Sequence, residues 1–260
     1  MLNQRPSVFE ELKKVDALVD ARSEPGRVIE RLPFTVRVVR SEEDLLKAVA
    51  VRHSAYARHM PSVAETLRMP ESIDTDEGVA VLLAESKLDG SPLGTVRIQG
   101  NLARPLGLES SVNLPPWLTN ESLAQVSRLG IVQGHVGRLV KMVLFKGLFQ
   151  YWEKNGIDWA VVAARSPLDR TYQQLLFKDV FPNEGFTPLA HMNNVPHRVM
   201  AFEVGTALER WTFAQHPLTK FIFYTEHPDL DIRDMRHQYR PYGPSQSANK
   251  AVPNAARSVN

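Results

Sequence analysis

Hydrophobic and polar residues alternate in several segments of the chain, a pattern typical of β-strands. The segment at 34–39 alternates and is rich in β-branched residues, so it predicts a first strand. An Asp-Gly pair at 89–90 is typical of a hairpin turn and joins two predicted strands, at 78–84 and 93–98. Later strands are predicted at 123–132, at the continuously apolar 157–164, and near 187–192 and 198–204.

Apolar residues at helical spacing predict helices between these strands. Ser41 is placed to cap a helix at 41–58. A glycine-punctuated turn at 133–137 precedes a long helix at 138–155, and a further helix is predicted at 166–180. The order of elements is therefore β-α-β-β-β-α-β-α-β-β, which describes an α/β or α+β domain with a mixed sheet flanked by helices.

This domain is expected at 34–224. The preceding residues, 1–33, contain an amphipathic run at 8–19 that predicts a peripheral helix. The following residues, 225–260, are rich in Pro, Ser and Asn and predict a tail that is poorly ordered or wrapped on the surface. Within the domain, the segment 61–76 carries two prolines and several charges, so it is predicted to be a loop.

Composition argues against several classes of function. The formal net charge of +2 does not favour a nucleic-acid binder. No run approaches the roughly 20 apolar residues of a membrane span, and the N-terminus has no signal-peptide pattern, so we expect a cytoplasmic protein. The chain has no cysteine, which removes disulfides and a cysteine nucleophile. Its eight histidines lack a recognised ligand spacing, so no metal site is expected.

The strand, glycine turn and helix start around 123–138 predict a site where an anion can bind. Backbone N–H groups at a helix N-terminus and the helix dipole both favour negative charge. Ile131 ends the strand, Gly137 lies in the turn, and Arg138 and Lys141 add charge nearby. A phosphate carried by a cofactor fits this pattern. Because strand-turn-helix units are common, a purely structural role is the alternative.

Four short segments follow one another in an order that resembles a known superfamily. They are VRHSAY at 51–56, ESIDTDE at 71–77, GTVR at 94–97 and QVSR at 125–128. With the order of elements over 34–204, they resemble the GNAT acyltransferases, in particular the acyl-homoserine lactone (autoinducer) synthases and, still more, the long-chain N-acyl amino acid synthases. The resemblance assigns site roles to Arg52, Tyr56, Asp74, Glu77, Arg97, Ser127 and Arg128.

The chain departs from these families at two positions. The acidic residue usual on the central strand is Gln125 here, and the usual phenylalanine is Leu129. The turn at 133–137 also lacks the loop pattern of the acetyl-CoA binders. This favours a donor on acyl-carrier protein, because its pantetheine arm offers one phosphate, whereas coenzyme A also brings a pyrophosphate.

The reaction that the resemblance implies moves a fatty acyl group from an acyl-carrier-protein or acyl-CoA thioester to the amine of an amino acid or related small molecule. With no cysteine and no Gly-x-Ser-x-Gly motif, direct attack by the amine is expected. A backbone N–H around 129–131, freed by a bulge, is the simplest oxyanion donor. Since Gln125 cannot act as a base, Glu77 or Asp74 is expected to accept the proton, directly or through water. The alternative is that a different residue has taken over this role or that the activity is altered.

The remaining site residues are expected to bind substrate. Arg97 and Arg128 are suited to hold a carboxylate by two hydrogen bonds, and pairing with loop carboxylates such as Asp74 is the structural alternative. The same alternative is stronger for Arg52. Tyr172 lies near the position from which some acetyltransferases protonate the leaving thiolate, and packing is its alternative role.

Two other functions stay open on the same fold: an acetyl-CoA-dependent acetyltransferase, and a non-catalytic acyl-binding or regulatory protein, to which Gln125 points. The apolar faces of the helix at 138–155 are either core or, in part, the lining of an acyl tunnel. Basic residues either form a patch for an acidic carrier protein or are scattered surface charges. These residues are Arg138, Lys141, Lys146, Arg170 and Lys178.

Overall fold

The computed structural model describes residues 28–190 and 194–232. Its strands are β1 Val28–Ile29, β2 Phe34–Val38, β3 Val79–Ser86, β4 Pro92–Gly100, β5 Leu123–Ile131, β6 Trp159–Ala164, β7 Lys178–Asp179, β8 Thr187–Leu189, β9 Val195–Glu203, β10 Thr225–Glu226 and β11 Leu230–Asp231. A nine-stranded sheet has the order β11-β2-β3-β4-β5-β6-β9-β7, with β8 paired to β9 outside this path. Its pairs are antiparallel except β5–β6 and β11–β2.

Helices cover both faces of this sheet, which confirms the predicted fold class. They are α1 Glu42–Ala57, α2 Pro61–Thr66, α3 Pro116–Thr119, α4 Gly134–Lys154, α5 Leu168–Gln174 and α6 Ala207–Phe213. Ser41 caps α1 as its position predicts, since its hydroxyl accepts a hydrogen bond from the Asp44 backbone N–H at 3.1 Å. None of the helices among the described residues has the length and apolar character that crossing a membrane requires.

Alternation along the strands sends side chains to two different cores. Val36, Leu82 and Val126 belong to the larger core, which contains most of the buried side chains of α4. Val81 and Leu83 belong to a smaller core under α1. Strand β3 is therefore packed on both faces.

Helix α4 is apolar around most of its circumference because it is covered on more than one side. Its Phe149 ring packs edge-on against Phe202 of β9, Trp211 of α6 and Phe223 of the π-helical turn Lys220–Tyr224. Leu144 and Leu148 are also buried in the larger core. For these residues the structure agrees with the core alternative rather than with a tunnel.

Several element boundaries differ from the sequence predictions. The segment 61–76 is not a plain loop, because it contains α2 and the 3₁₀ turn Ser72–Thr75. The helix predicted to reach 180 ends at Gln174, since Leu176 adopts a positive φ of 66° and the short strand β7 follows. Helix α4 begins about one turn earlier than predicted, so the glycine segment forms its first turn.

The ordered chain also continues beyond the boundary expected at 224. Strand β10 pairs with β1, and β11 pairs with β2 at the edge of the main sheet. The amphipathic run at 8–19 and the rest of the tail, 233–260, lie outside the described residues.

The central strand β5 is irregular at its C-terminal half. Its pairing with the parallel strand β6 begins at Leu123 and ends at the pair of Val126 and Val162. Beyond that pair the two strands separate. On its other side, the register with β4 shifts between the Ser127 and Gly130 pairs. Arg128 lies in this β-bulge with a φ of 55°, in the left-handed region. The sequence analysis expected a bulge near 129–131, and the structure has it one residue earlier.

Candidate active site

Five charged side chains meet beside the bulge. Arg52 comes from α1, Arg97 from β4 and Arg128 from β5, while Glu71 and Asp74 stand at the 3₁₀ turn that begins with Ser72. Asp74 accepts two hydrogen bonds from Arg52, at 2.8 and 3.0 Å, and one from Arg97 at 3.1 Å. Arg52 and Asp74 have fully buried side chains. Four charged residues that the sequence singled out on separate elements thus belong to one network: Arg52, Asp74, Arg97 and Arg128.

Glu71 is the second acidic member of this network. It accepts a bidentate pair of hydrogen bonds from Arg128, both 2.7 Å long, and one from Arg97 at 3.0 Å. From the sequence, Glu77 was expected at this acidic position. Glu77 is instead exposed, and no hydrogen bond or ion pair among the described residues joins it to the arginines.

The acidic pair is therefore Glu71 and Asp74 because of how the turn folds. The Glu71 backbone N–H donates to the Asp74 carboxylate at 2.9 Å, as in a capping box. This Glu-x-x-Asp spacing was present in the sequence and could have identified Glu71. Glu77 follows the end of this turn at Thr75, and its side chain is exposed.

The electrostatics of the network keep both carboxylates ionised. Burial alone would raise the pKa of the Glu71 carboxyl, but hydrogen bonding from Arg128 and the charges of the arginines lower it below its usual value. Burial acts the same way on Asp74, and its bonds to Arg52 likewise leave its pKa lowered. Three guanidinium groups and two carboxylates leave one net positive charge. A carboxylate held this way is a poor proton acceptor, which argues against Asp74 as the base.

Ser127 and Tyr56 border the network. The Arg97 Nε donates to the Ser127 hydroxyl at 3.2 Å. Tyr56 lies one turn after Arg52 on α1 and shares a hydrogen bond with Arg128. Burial lowers the pKa of Arg128, but the bonds to Glu71 and Tyr56 outweigh it, so the pKa is raised and the side chain stays charged.

Gln125 lies on β5 but holds a neighbouring loop. Its side-chain oxygen accepts a hydrogen bond from the Leu108 backbone N–H at 3.0 Å. Gln99, its partner across the β4–β5 pair, accepts from the Gly107 N–H at 3.2 Å and donates to the Pro105 carbonyl at 3.0 Å. Both amides are buried, and they fix the 3₁₀ turn Gly107–Ser110 against the sheet. The glutamine thus has a structural role of its own.

A cavity of about 400 Å³ lies where β5 and β6 separate. Leu129 and Ile131 line it from β5, Ala163 lines it from β6, and Tyr56 lines it from α1. Tyr56 therefore joins this cavity to the arginine network. The volume is in the range of small-molecule sites.

The polar part of the cavity wall is cationic. Arg58, Lys141 and Arg165 line it together with His59 and His197, and none of the lining residues in the described part of the chain is acidic. Burial and the nearby charge of Arg138 lower the pKa of Lys141. An anionic ligand group is favoured at such a wall.

The start of α4 passes very close to the end of β5. A Cβ added to Gly137 would lie 1.9 Å from the Val132 carbonyl oxygen, so only glycine fits there. This close approach places Lys141, one turn later, on the cavity wall. Arg138 is exposed beside His135 and is not among the lining residues.

Two sequence predictions about this region do not match the structure. Tyr172 is buried between Phe145 and Phe177 and does not line the cavity, so its packing role is the one observed. Lys146 cannot belong to an exposed basic patch, because it is 1% exposed and donates to the carbonyls of Phe221 and Thr225. Arg170 and Lys178 are exposed.

In the described residues, no three His, Asp or Glu side chains converge as a possible metal-binding group. The site geometry therefore consists of the arginine network, the bulge in β5 and the cavity between β5 and β6.

Comparisons with known proteins bear on the fold. No protein-family model and no curated protein sequence matches the chain. Among solved structures, FeeM, an N-acyl amino acid synthase from uncultured soil microbes, is similar with a TM-score of 0.55 and 18% identity, over 70% of this chain and 96% of FeeM. BjaI, a CoA-dependent acyl-homoserine lactone synthase solved with SAM and isopentyl-CoA, is similar with a TM-score of 0.51 and 14% identity, over 75% of this chain and 93% of BjaI.

Both structures have the fold that was predicted from the order of the four short segments in the sequence. FeeM and BjaI share the fold of this chain at low sequence identity. This chain has the fold of the GNAT acyltransferases.

Proposed function

We propose that the protein is an N-acyltransferase that moves a fatty acyl group from a pantetheine thioester to the amine of an amino acid or related small molecule. The observation that carries this proposal is the cavity at the separated strands, with a cationic wall on one side and the bulged strand β5 on the other. FeeM, which is similar in fold, is an N-acyl amino acid synthase.

In this proposal the donor binds along the cavity between β5 and β6. Leu129, Ile131 and Ala163 give an apolar wall for the thioester and the start of the acyl chain. Lys141 and Arg58 offer charge to the phosphate of the pantetheine arm. Lys141 belongs to the second turn of α4 and is the residue of that helix that lines the cavity.

The bulge supplies the means of stabilising the oxyanion. The residues of β5 beyond Val126 have left β6, so that edge of the strand faces the cavity instead of a ladder partner. We propose that a backbone N–H in the segment 129–131 donates to the carbonyl oxygen as it gains charge during attack. Direct attack by the amine suits this site, because the chain has no cysteine to carry the acyl group.

The arginine network holds this geometry, and an arginine outside the network binds the acceptor. Arg97 and Arg128 are bound to Glu71 and Asp74, so they are not free to hold a substrate carboxylate by themselves. Arg165 on the cavity wall is better placed to bind the carboxylate of an amino acid. The network then acts on the site through Arg128. This arginine lies in the β5 bulge and shares a hydrogen bond with Tyr56 on the cavity wall.

The test is product formation by the full-length protein. Purified protein is incubated with palmitoyl-loaded acyl-carrier protein or with palmitoyl-CoA, each against a mixture of the twenty amino acids, and products are detected by mass spectrometry. We expect an N-acyl amino acid, formed faster from the carrier protein. Absence of any N-acyl product from either donor, with the protein folded, contradicts the proposal. A parallel incubation with acetyl-CoA in place of the palmitoyl donors completes the test, and a product formed in that incubation alone identifies an acetyltransferase instead.

A further inference from the structure

The reaction proposed above needs a group that takes a proton from the acceptor. An amino acid amine is mostly protonated at neutral pH and attacks a thioester only after losing a proton. Gln125 cannot accept one, and its amide is occupied by the Leu108 N–H. Glu77 is exposed away from the cavity, and Asp74 is held by two arginines. The acidic residues considered so far therefore leave the base unassigned.

A buried histidine lies on the cavity wall. His197, on β9, is 2% exposed and lines the cavity together with Leu129 and Tyr56. Its Nδ1 lies 2.7 Å from the Val195 carbonyl oxygen. A carbonyl oxygen can only accept, so Nδ1 carries the hydrogen, and in the neutral ring Nε2 has a free lone pair. No hydrogen bond from another described residue reaches Nε2.

We infer that His197 is the general base of this enzyme, with Nε2 accepting a proton from the acceptor amine. The inference rests on the proposed function and deepens it. The Val195 carbonyl orients the ring and selects the tautomer that can act as a base, as a carboxylate or carbonyl does for catalytic histidines elsewhere.

The step balances when the acceptor attacks as the neutral amine, its ammonium proton having passed to solvent water beforehand. The amine nitrogen forms a bond to the thioester carbonyl carbon while Nε2 takes the N–H proton. The tetrahedral intermediate then collapses, the C–S bond breaks, and its electron pair stays on sulfur. The imidazolium returns its proton to the leaving thiolate, so that an amide and a free thiol are released and His197 is neutral again.

The charges around the ring favour its neutral form. Burial lowers the pKa of His197 from its ordinary 6.5, the Val195 bond opposes this, and the charge of Arg165 lowers it further. Arg58, His59 and Tyr56 face the cavity from α1 and its end, Lys141 faces it from α4, and Arg165 follows β6. On its own strand, the neighbouring Arg198 is paired with Asp179. The ring is thus unprotonated at pH 7, as a base must be.

The experiment compares the wild type with His197→Asn. The asparagine amide can keep the hydrogen bond to the Val195 carbonyl but cannot accept a proton, so packing is preserved and basicity is lost. We expect kcat to fall by about 10²-fold or more, with KM changed much less. The control is His53→Asn on α1, at a half-buried histidine outside the cavity lining, which should keep wild-type kcat.

The pH profile gives a readout that a structural role would not change. In the wild type, kcat/KM should fall on the acid side with a pKa below 6.5, and this limb should vanish in His197→Asn. Nitrogen NMR of the wild type should show a hydrogen on Nδ1 and none on Nε2 at pH 7, whether or not the variant folds. The inference is overturned if His197→Asn keeps the wild-type kcat and an unchanged acid limb. It is also overturned if NMR of the wild type shows a hydrogen on Nε2 of His197. Either result leaves the proposed function standing. A wild type with no acyl transfer overturns both.

Discussion

At Glu71 one carboxylate accepts hydrogen bonds from Arg97 and Arg128 and lies 3.4 Å from a nitrogen of Arg52. These arginines come from three elements that are far apart in sequence, so a single side chain ties α1, β4 and β5 together. Removing one partner from such a buried group leaves charges without compensation, which costs more than the pair itself contributes. The sequence showed which arginines to consider, but it did not show which carboxylate would reach them.

Glu71→Gln should therefore destabilise the protein strongly. We expect a loss of about 3 kcal/mol, near the lower end of the range for buried pairs, because the Glu71 side chain is 24% exposed. Urea denaturation followed by circular dichroism measures it. The matched control is Glu77→Gln, at an exposed carboxylate a few residues away, which should change stability by less than about 0.5 kcal/mol. Equal effects of the two substitutions would show that Glu71 does not hold the network.

Replacing Gln125 by glutamate is expected to leave the rate of acyl transfer without an increase. Gln125→Glu introduces the acidic residue that the resemblance to the synthases led us to expect, but the structure has the Gln125 side chain bonded to the Leu108 N–H and outside the cavity lining. The carboxylate can accept the same hydrogen bond, so the fold should persist and the rate of acyl transfer should not increase. Steady-state kinetics at pH 7 check this. A clear rate increase would show that position 125 takes part in proton transfer.

Among the elements, the join between β5 and α4 determines the geometry of the cavity. Gly137 allows the helix to pass against the Val132 carbonyl, and the bulge at Arg128 turns the end of the strand away from its neighbour. Neither feature depends on hydrophobic pattern. For this reason the sequence predicted the strand and the helix well but placed the helix start a turn too late.

Gly137→Ala should disturb this join. The added methyl group would lie 1.9 Å from a backbone oxygen, so α4 must shift relative to β5. We expect lower stability and at least a tenfold weaker affinity for the thioester donor, measured by calorimetry with a non-hydrolysable acyl-CoA thioether. The neighbouring Val136→Ala, at an exposed position in the same helical turn, serves as control and should bind as the wild type does. Unchanged donor affinity in both variants would show that donor binding does not depend on the position of the start of α4.

Most strands could be predicted from the sequence, whereas a short helix and the cavity could not. The strands at 34–38, 79–86 and 92–100 follow from alternation and from the Asp-Gly turn, and they were predicted within a few residues. Helix α2 was missed because its six residues are too few for a helical period and begin at a proline. The cavity could not be predicted, because it arises from where two strands cease to pair, which is a tertiary property.

For the whole molecule, the C-terminal part of the described chain closes the fold. Lys146 is buried on α4 and donates to the carbonyls of Phe221 and Thr225, and β11 then joins the main sheet. Burial lowers the pKa of Lys146 to about 8 despite the opposing charges of Glu30 and Glu226. His227 nearby is buried with no hydrogen-bond partner for either ring nitrogen among the described residues, although Glu30 lies 3.4 Å away.

The stability of the whole protein should therefore fall on mild acidification. Burial and the charge of Lys146 lower the pKa of His227 to about 4, against an opposing effect of Asp229. The folded state thus favours the neutral ring, and the unfolded chain binds more protons below its ordinary pKa of 6.5. This contribution is present above pH 6.5 and is lost between pH 6.5 and 4. His227→Phe, which keeps the ring against Phe221, should flatten the pH dependence of the urea midpoint in that interval. An unchanged slope would contradict it.

The account as a whole depends on the cavity between β5 and β6 being the place where the thioester lies. A crystal structure of the full chain with a non-hydrolysable acyl-phosphopantetheine analogue, in which a methylene group separates the sulfur from the acyl carbonyl, tests this most directly. We expect the sulfur between Leu129 and Ala163, the phosphate near Lys141, and the acyl carbonyl oxygen within hydrogen-bonding distance of a backbone N–H in 129–131. An analogue bound elsewhere, with this cavity still empty, would contradict the account.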